Sequence, residues 1–303
     1  MTTLFSTPLR GLLALTPLIL GTANLGADAS TLRAGAARAD LAPPLEMKVA
    51  LGGYGARMSK PATGQHDAIW AKALVLAQDE RKFAVVTADV LAFPPGFKAA
   101  VIERLATNGW SANQVLLLPS HSHTSIDMMA LHPGNVFGIP QVAIFQKEMF
   151  ERTAGQLAKA ILDAHKDLVT ISAASSTISV QDRNRNRRHG VATHDTALTV
   201  TRIDAAGGRP LVVLVNWTAH PTFMDAEDMM FSGDWPGHLQ RAMEALIGQG
   251  VTVMFYNGAQ GDQSPVPPDC DSHWERAERY GRELGIRAMP TRTSARRLRR
   301  RSI

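Results

Sequence analysis

Apolar runs with strand-like spacing alternate with amphipathic segments along most of the chain. Runs that predict β-strands occupy residues 32–40, 69–76, 83–89, 115–118, 169–180, 197–204, 211–216 and 251–256. Apolar residues recur at helical spacing in 97–107, 141–164, 235–246 and 274–284. This alternation predicts an α/β fold, in which mixed β-sheet layers are flanked by helices.

Polar residues indicate where some of these elements end. The runs 69–76 and 83–89 are separated by the polar segment 78–82, so the two runs predict a β-hairpin. Asn108 and Gly109 follow the first amphipathic segment, and this pair is typical of a helix C-terminus.

Three of the predicted strands lead directly into residue types that bind metals or substrates. The residues that follow them are His121 and His123, then His220, and finally the glycine-rich segment 257–264. In open α/β sheets, ligand sites lie beyond the carboxyl ends of the strands. We therefore expect the site residues to lie at strand C-terminal ends and to converge on one site.

The histidines are candidate metal ligands. Residues i and i+2 of an extended segment point the same way, so His121 and His123 can reach one metal ion or one substrate. Zinc and similar divalent ions favour neutral imidazole. The alternative is that these are turn histidines with ordinary hydrogen bonds, and that His220 is structural. An acidic loop at 225–228 either supplies a further carboxylate or is simply solvated.

Ser264 is the candidate residue for chemistry at a carbonyl group. The glycines at 258 and 261 allow backbone N–H groups to face a bound oxyanion, and Pro265 restricts the chain just after the serine. A serine in this position can act as a nucleophile or as a hydrogen-bond donor. A helix N-cap or a plain loop serine is the alternative.

The loop 182–188 carries four arginines, at positions 183, 185, 187 and 188. A guanidinium in this loop could hold a carbonyl, phosphate or carboxylate group. The alternative is a solvated loop that merely carries charge.

The N-terminus has the features of a signal peptide. Arg10 precedes the apolar segment 11–20, and residues 27–29 (Ala-Asp-Ala) match the small-x-small pattern at cleavage sites. We therefore expect residues 1–29 to be a signal peptide and the protein to be exported, to the periplasm or the medium. A disordered start followed by a buried helix is the alternative. Export adds no disulfide within the chain, because Cys270 is the only cysteine.

The net charge of +5 comes from the C-terminal tail rather than from the rest of the chain. Seven arginines follow Gly285 and no acidic residue does; removing those seven from the 32 Lys and Arg leaves 25 against 27 acidic residues. Residues 286–303 have no periodic apolar face. We interpret them as a truncated or out-of-frame end, with a nucleic-acid-binding arm as the alternative. The expected domain is thus 30–285.

Several motifs, taken in order, resemble those of the neutral/alkaline (non-lysosomal) ceramidase family. They are GAARADLAPP with the GGYG turn, GQHDAIWAKALVL, VVTADV, LLLPSHSHTS, DRNRNRR, VNWTAHPT with SGDWPG, and NGAQGDQSP. The order and rough spacing hold from about residue 34 to residue 264, so the resemblance covers most of the predicted mature chain.

The resemblance implies roles for individual residues. His121 and His220 correspond to the two histidine ligands of a catalytic zinc, and His123 to a neighbouring catalytic histidine. Ser264 matches the serine at the scissile amide. Arg183 or Arg185 falls where a substrate-contacting arginine lies.

The sequence departs from the family pattern in two places. Residues 125–127 replace the Gly-Pro of the family's His-Thr-His-Ser-Gly-Pro motif. The family's remaining zinc ligands, a glutamate and a tyrosine, lie far downstream, and the sequence ends 39 residues after Ser264. We therefore expect a C-terminally truncated member that binds zinc poorly and turns over slowly or not at all.

The expected function is Zn²⁺-dependent amide hydrolysis of the ceramidase type, which converts N-acyl-sphingosine to a fatty acid and a sphingoid base. The expected substrate is a lipid amide such as ceramide, which suggests peripheral contact with a membrane. We expect neither a nucleic-acid nor a protein partner. The alternatives are a metal-dependent phosphoesterase and a catalytically inactive, truncated member of the family.

Overall fold

The computed structural model describes residues 31–128, 138–142 and 144–289. The predicted signal peptide and the tail beyond residue 289 lie outside the described residues, so export and the nature of the tail remain predictions. Among the helices described, none is both long enough and apolar enough to cross a membrane.

Strands and helices alternate along the described chain. The strands are β1 (Arg33–Asp40), β2 (Gly64–Gln65), β3 (Trp70–Gln78), β4 (Arg81–Ala88), β5 (Val115–Pro119), β6 (Val169–Ser179), β7 (Asn184–Asn186), β8 (Ala197–Ala205), β9 (Pro210–Trp217), β10 (Met230–Phe231), β11 (Thr252–Asn257) and β12 (Gln263–Pro265). The α-helices are α1 (Phe97–Leu105), α2 (Lys147–Lys166), α3 (Asp234–Ile247) and α4 (His273–Arg287).

The longer strands form one mixed sheet. Its order is β11-β9-β8-β6-β1-β3-β4-β5. The strands of the two edge pairs, β4 with β5 and β9 with β11, run parallel, and all other neighbours in this sheet run antiparallel. The predicted α/β fold with mixed β-sheet layers and flanking helices is confirmed.

The sheet consists of two halves that face each other. Strands β1 and β6 join them through only two residue pairs, Arg33 with Thr170 and Ala34 with Val169. Helices α1 and α2 pack on one face of the first half-sheet (β1, β3, β4, β5), and α3 and α4 pack on one face of the second (β6, β8, β9, β11). The remaining faces meet in a third core: Ala34, Leu74, Ile203, Val212 and Met254. The layers are therefore helix, sheet, sheet, helix.

The predicted strands agree with the observed ones to within two residues, but one helix prediction is wrong at its start. Helix α2 begins at Lys147 rather than at residue 141. Residues 140–142 form a separate 3₁₀ turn, and Gln146 has extended backbone angles that interrupt any helix. The side chain of Ile144, whose position suggested a buried helical face, is 50% exposed.

The predicted hairpin forms with a shorter turn than the polar segment suggested. Gln78 pairs with Arg81, so only Asp79 and Glu80 form the turn. Asp79 adopts a left-handed conformation with φ of 51°, which a two-residue hairpin turn favours because it matches the twist of the strands.

Candidate metal centre

Three histidines from two separate loops meet at one place. His121 and His123 follow β5, and His220 follows β9. The centroids of the three imidazole rings lie 4.8–5.1 Å apart. One nitrogen of each ring lies within 4.8 Å of the others. We call these residues the three-histidine cluster.

An asparagine at the end of β11 holds the two loops together. The Asn257 amide donates hydrogen bonds to the carbonyls of Ser120 (3.1 Å) and Ala219 (2.9 Å). These carbonyls directly precede His121 and His220. One side chain therefore holds together the two backbone segments that carry the cluster.

The backbone at His121 adopts a conformation that is uncommon for a residue with a side chain. Its φ is 69°, in the left-handed region. The residue is held there by its own N–H, which donates to the Val90 carbonyl at 3.0 Å. Strained backbone of this kind is characteristic of functional sites, and here it turns the imidazole toward His220.

Two backbone carbonyls determine which nitrogen of each ring carries the proton. His121 Nδ1 lies 2.8 Å from the Leu91 carbonyl, and His220 Nδ1 lies 3.0 Å from the Gln260 carbonyl. A carbonyl oxygen only accepts hydrogen bonds, so each Nδ1 donates. In a neutral imidazole the other nitrogen, Nε2, then has an unshared electron pair. Carbonyl contacts of this kind orient metal-binding histidines.

The two Nε2 atoms of His121 and His220 are only 3.2 Å apart. Their electron pairs repel each other unless a positive charge lies between them. Two nitrogen ligands of a tetrahedral zinc ion, each about 2.0–2.1 Å from the metal, are about 3.3 Å apart. The donor atoms and their separation thus fit a zinc ion.

His123 adds a third imidazole whose nitrogens are free. Neither ring nitrogen of His123 has a hydrogen-bond partner among the described residues, although both are buried. Burial, followed by the neighbouring His121 and His220, lowers the pKa of His123 to about 3. An uncharged imidazole with two free nitrogens can bind a metal ion or exchange a proton with a ligand.

Packing around His123 depends on a glycine. A Cβ atom at Gly53 would lie 2.3 Å from the His123 ring, and the φ of Gly53 is 96°. On the other side, the Tyr54 ring packs edge-on against His123, with centroids 5.1 Å apart. Position 53 therefore requires glycine for both space and backbone conformation.

Charge at the cluster favours neutral imidazoles. Burial is the largest cause that lowers the pKa values of His121 and His220, and the positive charge of Arg187 lowers the pKa values of all three histidines. Neutral imidazole is the form that binds metals. Arg187 belongs to the arginine-rich loop, but sequence reasoning did not single it out.

The two predicted substrate-contacting arginines lie in different surroundings. The Arg183 guanidinium pairs with Glu283 of α4 at 2.6 Å, and the Arg183 carbonyl accepts a hydrogen bond from Tyr280. Arg185 lies on β7 directly opposite Ser264 of β12. Residues directly opposite in an antiparallel pair share a face, so Arg185, rather than Arg183, is the neighbour of Ser264.

Ser264 and Arg185 line a pocket of about 220 Å³. The other lining residues are Thr222, Phe223, Pro265, Pro267, His273 and Arg276. No described residue forms a hydrogen bond with the Ser264 hydroxyl. The adjacent Gln263 carbonyl accepts the His220 N–H at 3.0 Å, so the pocket is linked to the three-histidine cluster through the backbone.

A second pocket, of about 200 Å³, is lined by residues that contact the cluster. Its walls include Leu51, Gly53, Tyr54, Leu91 and Val142. Gly53 and Tyr54 also contact His123, and the Leu91 carbonyl orients His121. None of these contacts was predicted from the sequence, where the GGYG turn at 52–55 was only one of the motifs that resemble the family.

A second group of potential ligands comprises His66, Asp67 and His238, which we call the Asp67 cluster. Its carboxylate is already paired. Asp67 Oδ1 lies 2.9 Å from the Arg241 guanidinium and accepts the Gly233 N–H, while Oδ2 accepts the Ser232 hydroxyl.

Comparison with known proteins identifies a family. The family model described as "Neutral/alkaline non-lysosomal ceramidase, N-terminal" matches residues 32–279. No curated protein matches the chain.

Two solved structures share its fold. The first is a ceramidase complexed with C2, with a TM-score of 0.75 and 19% identity over 86% of this chain and 43% of that one. The second is neutral ceramidase from Pseudomonas aeruginosa, with a TM-score of 0.74 and 20% identity over 89% of this chain and 45% of that one. The chain spans less than half the length of these structures.

Proposed function

Because the chain belongs to the neutral/alkaline non-lysosomal ceramidase family, we propose that it is a zinc-dependent hydrolase of lipid amides. The reaction is that of a ceramidase, in which an N-acyl sphingoid base and water give a fatty acid and a sphingoid base. The observation that carries the proposal is the pair of Nε2 atoms of His121 and His220, which lie 3.2 Å apart while the Nδ1 atom of each ring faces a backbone carbonyl.

His121 and His220 are the residues that would hold zinc, and His123 borders the same space. When bound in such a site, zinc supplies Lewis acidity toward the amide carbonyl and makes water nucleophilic near neutral pH. The Leu91 and Gln260 carbonyls keep both Nε2 atoms available for the ion. Burial, and to a smaller extent the charge of Arg187, lowers the pKa values of His121 and His220, which favours the neutral imidazoles that bind metals.

The remaining residues have roles in proton transfer and in binding the substrate. Hydrolysis joins the oxygen of water to the carbonyl carbon, breaks the C–N bond and moves a proton to the leaving amine. A free nitrogen of His123 can carry that proton. The Ser264 hydroxyl, which has no hydrogen-bond partner among the described residues, either donates to the carbonyl oxygen or attacks the carbonyl carbon. Arg185, opposite Ser264, contacts polar groups of the substrate.

The two pockets suit the two kinds of surface on a ceramide. The pocket with Leu51, Leu91 and Val142 offers these apolar side chains to hydrocarbon, beside the polar side chains of Ser59, Asp127 and Gln141. The pocket with Arg185 and Ser264 offers hydrogen-bonding groups for hydroxyls and the amide. Residues of the first pocket contact His121 and His123, and the second is linked to His220 through the Gln263 carbonyl, so a substrate bound at the cluster would extend into both.

A paired measurement of metal content and product release tests the proposal. Purified chain, equilibrated with excess zinc, should bind about one zinc ion per chain, weakly as the sequence predicts, and should release fatty acid slowly from a short-chain ceramide. A matched His220→Ala variant should lose both properties. Stoichiometric zinc without any release of fatty acid would contradict the proposed reaction, and absence of zinc would contradict the proposed cofactor.

The chain is also proposed to be exported as a catalytic domain of residues 30–285 after removal of residues 1–29. Support comes from the positive, apolar and small-residue segments in the expected order. N-terminal sequencing of the protein recovered from the periplasm or medium should begin at Ser30. Recovery in the cytoplasm with Met1 retained would contradict export.

A further inference from the structure

Arg57 is an almost fully buried arginine, with 2% of its surface exposed. Its Nη1 atom donates to the carbonyl of Gly52 at 2.6 Å and to the carbonyl of His123. Its Nη2 atom donates to the carbonyls of Asp225 at 2.7 Å and Asp228 at 3.0 Å. One guanidinium therefore joins three chain segments through four backbone oxygens.

The joined segments are those that carry the three-histidine cluster. One is the loop after β5, at His123 itself, and another is the loop after β9, a few residues beyond His220. Tyr54 makes a parallel connection, because its hydroxyl donates to the Met224 carbonyl at 2.6 Å while its ring packs against His123. The Arg57 guanidinium also lies over the Tyr54 ring, 4.9 Å from its centroid.

We propose that Arg57 and Tyr54 form a clamp that fixes the loop of His121 and His123 relative to the loop of His220 and thereby sets the metal affinity of the cluster. This inference rests on the metal site of the proposed function. Both are positioning residues, since they act through backbone carbonyls and ring packing rather than by touching the reacting atoms. Residues that orient metal ligands in this way commonly change metal affinity or activity by about 10–100-fold when replaced.

The geometry requires a guanidinium at position 57. Four carbonyls from three segments approach two nitrogens of one planar group, and each of these nitrogens carries two N–H bonds. A lysine ammonium has the same charge but only three N–H bonds, which diverge from one point. Arg57→Lys therefore preserves the charge near His123 while removing at least one of the links between the loops.

Cobalt binding to the full chain tests the clamp. Co²⁺ is titrated into EDTA-treated wild type, Arg57→Lys, Arg57→Met and Tyr54→Phe, and both the dissociation constant and the visible absorption spectrum are recorded. We expect the Arg57 variants to bind about 10–100-fold more weakly, with shifted absorption bands. Tyr54→Phe removes one hydrogen bond and should bind about three- to tenfold more weakly.

Arg104→Met is the matched control. Arg104 is a partly buried arginine that donates to the Ala100 carbonyl at 2.7 Å and pairs with Glu151, so it joins α1 to α2 away from the histidines. Its loss should lower the melting temperature in EDTA but leave the Co²⁺ dissociation constant within about twofold of wild type.

The results for Arg57 and Tyr54 either support the clamp or overturn it. A folded Arg57→Lys variant with the wild-type dissociation constant and spectrum would overturn the clamp. Should the Arg57 variants fail to fold, an unchanged dissociation constant in Tyr54→Phe would overturn it equally. A wild-type chain that binds no Co²⁺ or Zn²⁺ would instead overturn the metal site of the proposed function, and the clamp with it.

Discussion

The three-histidine cluster and the Asp67 cluster contain similar ligand atoms in different surroundings. In the three-histidine cluster, two backbone carbonyls take the Nδ1 protons and leave electron pairs facing each other. In the Asp67 cluster, the carboxylate already pairs with a guanidinium and accepts hydrogen bonds from a hydroxyl and a backbone N–H. A cation entering there would have to displace Arg241.

The difference shows that residue types alone do not make a metal site. What matters is whether the electron pairs of the ligands lack protein donors once the chain is folded. In the three-histidine cluster, no donor among the described residues faces the Nε2 electron pairs of His121 and His220 once both Nδ1 atoms donate to carbonyls. Asp67 instead ties the loop before α3 to the end of β2, which is a structural role. The following predictions test this contrast.

Replacing His121 by alanine should have the largest effect on metal binding. The variant loses one of the two nitrogens that face each other, so zinc affinity should fall by more than the roughly 100-fold typical of losing an orienting residue. Elemental analysis after dialysis should find almost no zinc. The matched His66→Ala variant should keep its zinc, and zinc retained in His121→Ala would place the metal elsewhere.

Gly53→Ala should weaken metal binding by about tenfold, because the added methyl group displaces the His123 ring, and a displaced ligand neighbour acts like a lost orienting contact. The positive φ should also lower the free energy of unfolding by about 1–3 kcal/mol. Gly207→Ala separates the two effects, since Gly207 has a φ of 88° but open space around it. If both variants bind zinc equally well, the contact with His123 does not matter.

Acid should destabilise the metal-free protein through His123. The pKa of His123 is about 3 in the folded chain and about 6.5 when unfolded, so the unfolded state takes up the proton first as the pH falls. The contribution of His123 to the free energy of unfolding should therefore fall by about 2 kcal/mol as the pH is lowered from 7 to 5.

The effect of His123 must be measured as a difference from His123→Asn, in urea with EDTA. Burial raises the pKa of Asp234 to about 7, so that carboxyl group binds protons in the folded state and has the opposite pH dependence in the same range. An equal pH dependence in wild type and His123→Asn would show that His123 is not buried in neutral form.

Asp67→Asn should have the smallest effect on metal binding. The ion pair with Arg241 is lost, which should cost about 1–3 kcal/mol of stability. Zinc content should stay at about one ion per chain, as judged by elemental analysis beside thermal unfolding. A drop from two zinc ions to one would show that the Asp67 cluster also binds metal.

Much of the fold could be predicted from the chain alone, because strands and their turns depend on local residues. The strand β9 was predicted to within one residue at each end, and the strands β3 and β4 of the hairpin to within two, from alternating or continuous apolar runs. The start of α2 was predicted wrongly, because Ile144 matches the helical spacing of the apolar residues but is exposed and lies before the helix. Periodicity records which face a helix would bury, but not where the backbone leaves the helical conformation.

The candidate site could be predicted only in part. The histidines and Ser264 are chemically distinctive and follow strands, so their types and positions indicated a site. Arg57 has no local signal, since nothing in the sequence around it distinguishes a buried arginine from a solvated one. Arg183 and Arg185 could not be told apart from the sequence for the same reason. What distinguishes them is the ion pair of Arg183 with Glu283, a contact with a distant helix.

The sequence by itself determined the elements, the family and the residue types that carry the chemistry, because these depend on neighbours along the chain. Only the tertiary structure decided that the two half-sheets face each other and that the loops after β5 and β9 meet. It also decided which histidine nitrogens are free, because Leu91 and Gln260 reach them from distant parts of the chain. Proton positions and charge depend on contacts in space, and these form only when the chain is folded.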